Sequence, residues 1–155
     1  MTAEPPVPVV TAPRRGVDPR ELAGRVPDPL VLTAEERRRA RWRARTQAGR
    51  ELALALPTGT VLAPGDVLYV GPDWYAVVDA AVEPVLAVTP RSREEALRVA
   101  FEVGNRHFAL ALEGERLLVP DDPAMVHLLA RLGVPWSRTR AVFAPIGTGH
   151  RHDER

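Results

Sequence analysis

The sequence predicts an α+β protein in which an N-terminal all-β module is followed by a ferredoxin-like βαββαβ domain. Three observations support this prediction. Residues 30–79 alternate polar and apolar side chains with period two between glycine and proline turns, which is typical of short strands. Residues 80–145 show strand-like and helix-like segments in the order βαββαβ. The apolar fraction is 45%, which allows a chain of 155 residues to bury a core.

We place the N-terminal β domain at residues 1–79, the ferredoxin-like domain at residues 80–145 and a flexible, histidine-containing tail at residues 146–155. The first 29 residues contain seven prolines and are expected to be partly loop. Because proline lacks a backbone N–H, we expect no helix there. Residues 7–11 are expected to add one edge strand.

The next segment predicts one helical turn and then a hairpin. Thr33 and Glu36 have the spacing of a capping box, which indicates a short helix at residues 34–37. Beyond it the residues alternate as in a half-buried strand, and Gly49 lies in the turn to a second strand. One face of the first strand carries four arginines: Arg39, Arg41, Arg43 and Arg45.

Two helices are predicted in the C-terminal part. The first begins at Ser92, with Glu95 three residues later as a second capping box. Gly104 and Asn105 follow it, at the positions where the left-handed residue that ends a helix is expected.

The second helix begins at Asp122, with Pro123 at its first position, and ends at Gly133. Residues 134–137 are expected to be a loop before the last strand. The predicted strands lie at residues 82–90, 107–114, 115–120 and 138–145.

The composition excludes several classes of protein. Basic and acidic residues balance, 21 against 20, so the net charge gives no indication of nucleic-acid or membrane binding. The absence of cysteine excludes a disulfide framework and a thiolate metal site. No apolar run is long enough to span a bilayer and no signal peptide is visible, so we expect a cytoplasmic location.

Catalytic motifs are absent from the sequence as well. It lacks a phosphate-binding glycine loop, a serine nucleophile elbow and an H-E-x-x-H helix. We therefore expect a protein that is not an enzyme.

The arginines of residues 37–45 have two interpretations. Such a strip can bind RNA or an acidic protein, or it can be the solvated face of a strand that resists edge-to-edge pairing. RNA is the less favoured partner, because only Trp42 interleaves with the arginines and it points to the other face. A non-catalytic adaptor that uses this strip is the alternative function.

Four histidines are candidates for chemistry. His127 lies opposite the apolar face of the second helix and is expected to be an ordinary surface residue. His150 and His152 form an H-x-H pair whose imidazoles suit Ni(II), Cu(II) or Zn(II). His107 falls where a helix passes into a strand. It is either packed at the helix end and stabilised by the helix dipole, or half of a metal site that a homodimer completes.

A homodimer is predicted independently of the histidines. Leu97 and Phe101 extend the apolar face of the first C-terminal helix beyond what one sheet can bury. Exposed apolar excess marks an interface, here within residues 80–145.

Several segments resemble the UreE family of urease accessory proteins, over roughly residues 18–145. The most specific is G-N-R-H at residues 104–107. The others are LTAEERRRARWRART, GRELALALPTGTVLAPGDVLY, EPVLAV and RLGV, together with the EALRVAFEV that precedes G-N-R-H.

The resemblance implies a nickel metallochaperone that delivers Ni(II) for assembly of the urease active site, with Zn(II) or Cu(II) as competitors. It implies His107 as the central ligand, shared across the dimer axis, and His150 and His152 as auxiliary ligands. It also implies that the N-terminal domain binds protein, with a urease accessory GTPase and the urease pre-activation complex as partners. Neither nucleic acid nor a membrane is an expected partner.

The chain departs from this family in two places. Its tail has two histidines where many relatives have a long histidine-rich tail, and Asp121 and Asp122 stand where some relatives have further histidines. We therefore expect few nickel ions per dimer.

Overall fold

The computed structural model describes residues 5–147, which cluster into two compact units. The first unit, residues 5–80, contains six strands and two one-turn helices. The second unit, residues 81–147, contains four strands and two longer helices. The predicted α+β fold class is confirmed.

The first unit is built from eight elements in chain order. They are β1 (Val9–Val10), α1 (Pro19–Leu22), β2 (Val26–Leu32), α2 (Ala34–Arg37), β3 (Arg41–Arg45), β4 (Glu51–Ala55), β5 (Val67–Val70) and β6 (Trp74–Ala80). The six elements of the second unit are β7 (Val82–Val88), α3 (Arg93–Asn105), β8 (Ala111–Glu113), β9 (Arg116–Pro120), α4 (Pro123–Leu132) and β10 (Trp136–Val142).

The first unit packs two three-stranded sheets, ordered β1-β4-β3 and β2-β6-β5, around one core. As the alternating sequence predicts, most strands turn every second side chain inward, and both sheets contribute to the same buried cluster. Strand β5 is the exception, because it buries Val67 and Leu68 in succession. The β3–β4 hairpin and the edge strand β1 are confirmed. The buried members are Val10, Leu30, Leu32, Ala44, Leu52, Leu54, Leu56, Leu62, Leu68, Ala76 and Val78.

The proline-rich segment is more regular than predicted. The turn α1 begins at Pro19, after Asp18, whose carboxylate accepts a hydrogen bond from the backbone N–H of Arg20 at 2.9 Å. The prediction of no helix was wrong, because the first position of a helix needs no N–H donor and therefore tolerates proline. Strand β2 also begins inside this segment, at Val26.

The turn α2 has the predicted capping box between Thr33 and Glu36. Its last residue, Arg37, is 5% exposed, and its guanidinium donates to the Leu32 carbonyl at 2.9 Å. The basic strip predicted for residues 37–45 is therefore shorter than expected, because Arg37 belongs to the interior.

The second unit has the ferredoxin-like strand order β10-β7-β9-β8, with every pair antiparallel. Helices α3 and α4 bury their apolar faces against one side of this sheet. Helix α4 has the predicted limits, with Asp122 as its N-cap and Gly133 in the left-handed conformation that ends it. Strand β10 begins two residues earlier than predicted, because Trp136 pairs with Val88 of β7.

At the start of α3 only half of the predicted capping box forms. The Ser92 hydroxyl accepts from the Glu95 N–H at 3.0 Å, whereas the Glu95 carboxylate accepts from the N–H of Arg91 at 3.0 Å. Within residues 5–147, no helix has the length and apolarity that crossing a membrane requires.

A buried carboxylate ties β2 to the β3–β4 turn. Asp28 is 2% exposed and accepts hydrogen bonds from the Thr46 hydroxyl at 2.6 Å, the Arg50 guanidinium at 2.9 Å and the Ala48 N–H at 3.0 Å. Burial opposes ionisation of Asp28, but these hydrogen bonds outweigh it and hold the pKa of the carboxyl below its usual value. Asp28 thus joins the two sheets of the first unit.

Replacing Asp28 by asparagine is expected to destabilise the first unit by about 2–4 kcal/mol at pH 7. The asparagine side chain has the same volume but lacks the negative charge that pairs with Arg50. Its NH₂ group would also face hydrogen-bond donors that need an acceptor. Urea unfolding followed by Trp42 and Trp74 fluorescence, in a Trp136→Phe background, measures the difference.

The pH dependence of that difference follows from the lowered pKa. The ionised Asp28 stabilises the folded unit above the unfolded-state pKa of about 3.9, and this contribution is lost as the pH falls through the lower folded-state value. The difference in unfolding free energy between wild type and Asp28→Asn should therefore be largest at pH 7 and should disappear below about pH 4. Asp73→Asn, at an exposed site, is the matched control and should change stability by less than about 0.5 kcal/mol. If this difference stays constant down to acid pH, the ionised Asp28 carboxylate does not stabilise the first unit as described.

Candidate metal centre

Helix α3 ends in a Schellman motif formed by the residues after Val103. The N–H of His107 donates to the Gly104 carbonyl at 3.0 Å, and the N–H of Phe108 donates to the Val103 carbonyl at 3.2 Å. Phe108 packs on the core cluster that contains Val103, which is the apolar contact that accompanies this motif. The backbone around His107 is therefore fixed by hydrogen bonds and packing on both sides.

His107 occupies the left-handed position of this motif, with φ of 61°. It is the only non-glycine residue with positive φ between residues 5 and 147. We predicted that Gly104 or Asn105 would be left-handed, and this was wrong, because α3 continues through both of them. A left-handed φ costs an L-residue about 1–2 kcal/mol, so glycine would be the more stable choice at position 107.

The imidazole of His107 is exposed, and it makes no hydrogen bond or ion pair with any residue that the structure describes. This geometry does not fit the interpretation of His107 as a histidine packed at the helix end. The side chain of His107 is therefore open to solvent.

Arg106 and Glu102 stabilise the helix end beside this histidine. The Arg106 guanidinium donates to the Glu102 carbonyl at 2.9 Å and to the Glu102 carboxylate at 2.5 Å. This carboxylate is thus engaged by Arg106. The pair was not identified from the sequence, although its i, i+4 spacing on a helix was the available signal.

The described part of the chain does not bring a metal-ligand cluster together. Within residues 5–147, no three or more histidine, aspartate or glutamate side chains are grouped so that they could hold a metal ion. Asp121 pairs with Arg138 at 3.5 Å, and Asp122 accepts from the N–H of Ala124 at 2.8 Å as the cap of α4. Both carboxylates therefore already have structural partners.

The other three histidines are divided between surface and tail. His127 is exposed on α4, as predicted. His150 and His152 lie outside the described residues. The chain that leads to them returns towards His107, because the N–H of Ile146 donates to the Leu110 carbonyl at 2.8 Å.

An apolar face lies along α3 on the turns before His107. Leu97 and Phe101, one turn apart, are 62% and 68% exposed. Gly104 follows at the next turn, and apart from its own helix backbone no atom of the described residues lies within 4 Å of where its side chain would begin. Two large apolar groups and an open notch therefore share one side of the helix that ends at His107.

Two family models match this chain. The model described as UreE urease accessory protein, N-terminal domain, matches residues 13–81, and the corresponding C-terminal domain model matches residues 83–155. Together they cover most of the sequence.

Curated relatives agree with these matches. A urease accessory protein UreE of Ralstonia nicotianae is 42% identical over 127 residues, which cover 79% of this chain and 60% of that protein. One from Deinococcus radiodurans is 45% identical over 114 residues, which cover 74% of each chain. A bifunctional urease accessory protein UreEF of Bordetella bronchiseptica is 41% identical over 129 residues, which cover 79% of this chain and 30% of the longer protein.

Proposed function

Because this chain belongs to the UreE family of urease accessory proteins, we propose that it binds Ni(II) and delivers it for assembly of the urease active site. It acts in the cytoplasm as an accessory protein and not as the urease itself. Its cargo site is built around His107, and Zn(II) or Cu(II) compete with nickel for the same imidazoles.

The observation that carries this proposal is the placement of His107. Its imidazole is exposed and unpaired within the described chain, yet its backbone is held in a left-handed conformation by two hydrogen bonds. A histidine at a strained position that glycine would fill better indicates a role for its side chain. Imidazole nitrogen is a preferred ligand of Ni(II) and Zn(II).

The second ligand comes from a second copy of the chain. One imidazole binds a metal ion weakly, and a two-fold axis near His107 would supply the same residue twice. The exposed face of Leu97 and Phe101, with the notch at Gly104, supplies an apolar surface for this homodimer. The dimer contact and the metal ligand would then lie on the same helix, α3.

The tail completes the ligand set in this proposal. The hydrogen bond between Ile146 and Leu110 brings the start of the tail back to the segment that follows His107. His150 lies four residues beyond Ile146, a reach of up to about 14 Å in extended chain, and Leu110 lies within about 11 Å of His107. We propose His150 and His152 as auxiliary ligands, whereas Asp121 and Asp122 keep their structural partners.

The proposed recipients are a urease accessory GTPase and the urease pre-activation complex. The UreEF protein of Bordetella bronchiseptica supports association with another accessory protein, because its matched region is part of one longer bifunctional chain. Physical linkage of this kind raises the local concentration of two proteins that act together.

Isothermal titration of the apo protein with Ni(II) tests the proposal directly. We expect binding of few nickel ions per dimer, with an affinity that falls in acid, because imidazole must lose its proton to bind a metal. Absence of Ni(II) binding by the full chain would overturn the proposed function.

Deleting residues 148–155 should weaken Ni(II) binding about 10–100-fold or lower its stoichiometry, without abolishing it. The tail must be ordered to bind, at about 1–2 kcal/mol per residue fixed, whereas His107 already sits on ordered structure. Titration of the truncated chain, and of a full-length His150→Ala/His152→Ala variant as its matched control, measures this. If the truncated chain loses all binding, the tail itself forms the primary site.

A further inference from the structure

Strand β3 lies at the edge of its sheet, and no strand of the described chain pairs with its outer side. On its inner side, the Ala40 carbonyl and the Thr46 N–H bond to the β4 side of the hairpin at 2.9 and 2.7 Å. Along an antiparallel pair of strands, residues whose backbone groups bond to the partner strand alternate with residues whose backbone groups point away from it. Ala40 and Thr46 both bond to the β4 side, so every second residue between them does so too. The backbone groups that point outward belong to Arg41, Arg43 and Arg45.

The same three residues carry the side chains of the solvent face, and all three are exposed. Arg43 lies 3.5 Å from the Glu51 carboxylate, and Arg45 donates to the Gly49 carbonyl at 3.2 Å. Arg41 has no hydrogen bond or ion pair with any residue from 5 to 147. Three guanidinium groups thus face a single carboxylate, which leaves the edge with excess positive charge.

The positions opposite Arg41 and Arg43 carry small side chains. Ala55 and Ala53 of β4 lie opposite Arg41 and Arg43. Trp42 points to the core side, where its indole N–H donates to the Arg39 carbonyl at 3.2 Å. Single-stranded nucleic acid is held by aromatic stacking as well as by charge, so this face favours a protein partner over RNA.

We propose that the edge of β3 binds an acidic, extended segment of a partner protein by strand addition. The partner backbone pairs with the outward N–H and C=O groups of the three arginines, and its carboxylates at every second position lie opposite the guanidinium groups. Side chains on one face of a strand repeat every 6.8 Å or so, which matches carboxylates at i, i+2 and i+4. A second copy of β3 is a poor occupant, because arginine would face arginine. This proposal does not depend on nickel binding.

A fluorescein-labelled octapeptide of alternating glutamate and threonine is the probe, and fluorescence anisotropy at low salt is the measurement. Two peptides of the same composition are its controls: one with four glutamates followed by four threonines, and one N-methylated at the amides that would pair with β3. The alternating peptide should bind the full-length chain at least about fivefold more tightly than either control, because only it combines matched charges with free backbone donors.

Arg41→Glu should weaken binding of the alternating peptide about tenfold. Arg131→Glu is the matched control, because it reverses another exposed arginine that has no ion pair within the described residues, and it should change binding less than about twofold. Amide hydrogen exchange supplies a second readout. The peptide should slow exchange at Arg41, Arg43 and Arg45, and leave Trp42 and Ala44, which already bond to β4, unchanged.

Three outcomes would overturn the proposal. The first is equal binding of the alternating, block and N-methylated peptides, which would mean non-specific charge attraction. The second is no detectable binding of the alternating peptide at low salt. The third is tighter binding of an oligouridine of equal charge that Arg41→Glu abolishes, which would assign the edge to nucleic acid.

Discussion

His107→Gly should abolish tight Ni(II) binding and leave the end of helix α3 intact. The affinity is expected to fall at least about 100-fold, since loss of a direct ligand should exceed the 10–100-fold effect of losing a residue that only orients one. Glycine adopts the φ of 61° without penalty, so both backbone hydrogen bonds of the helix end persist. The variant should even gain about 0.5–1 kcal/mol of stability.

This substitution separates the role of the imidazole from the role of the turn. His107→Ala should lose nickel as well, but it keeps the left-handed strain and should not gain stability. His127→Ala removes another exposed histidine of the same unit and should bind nickel like wild type. Calorimetric titration and thermal unfolding of the three variants give both quantities. Nickel affinity of His107→Gly within about threefold of wild type would show that His107 serves only the turn.

Phe101→Glu is expected to convert the proposed homodimer into a monomer and to weaken Ni(II) binding as a result. The ring is 68% exposed in one chain and extends from the helix that carries His107. In the proposed dimer two such rings are buried, and replacing them by carboxylates would cost at least about 3 kcal/mol per dimer. The monomer retains one His107, so the shared ligand pair is lost without any change to the ligand itself.

Val26→Glu is the matched control for this variant. Val26 is 66% exposed but lies on strand β2 of the first unit, so its replacement should leave a dimer that binds nickel. Light scattering at micromolar concentration measures the mass, and thermal unfolding checks that each variant is folded. A dimeric Phe101→Glu would place the interface elsewhere. A monomeric Phe101→Glu with wild-type nickel affinity would show that the ligands do not come from two protomers.

The sequence correctly predicted the ends of elements at positions where one residue type strongly favours one backbone conformation. Asp122, Pro123 and Gly133 set the limits of α4 as predicted, because a cap, a proline at the first position and a left-handed glycine each act within one turn. The period-two pattern likewise identified the hairpin of β3 and β4.

Features that depend on distant partners could not be obtained in this way. Strand β10 begins at Trp136 because β7 pairs with it there, and this pairing is not encoded in nearby residues. In the sequence, Asp28 is a single polar residue between two prolines. Its hydrogen bonds to Thr46 and Arg50 form only because a turn that is distant in sequence packs over it.

The backbone conformation at His107 could not be predicted from the sequence. Gly104 and Asn105 are stronger stop signals than histidine, so the sequence favoured them as the left-handed residue. The helix passes both because Phe108 reaches the core cluster only when the chain turns at position 107.

At the proposed nickel site, the hydrogen bond between Ile146 and Leu110 would also set the effective concentration of the tail. A tether of four to six residues would present His150 and His152 at a local concentration in the millimolar range. An imidazole that binds the nickel ion with a Kd of about 10–100 µM would then occupy it more than about 90% of the time, in line with the 10–100-fold loss expected when the tail is deleted. Such a ligand protects the ion from solvent but yields to any stronger donor on a recipient protein. Transfer can then proceed by stepwise exchange of ligands, without release of free nickel.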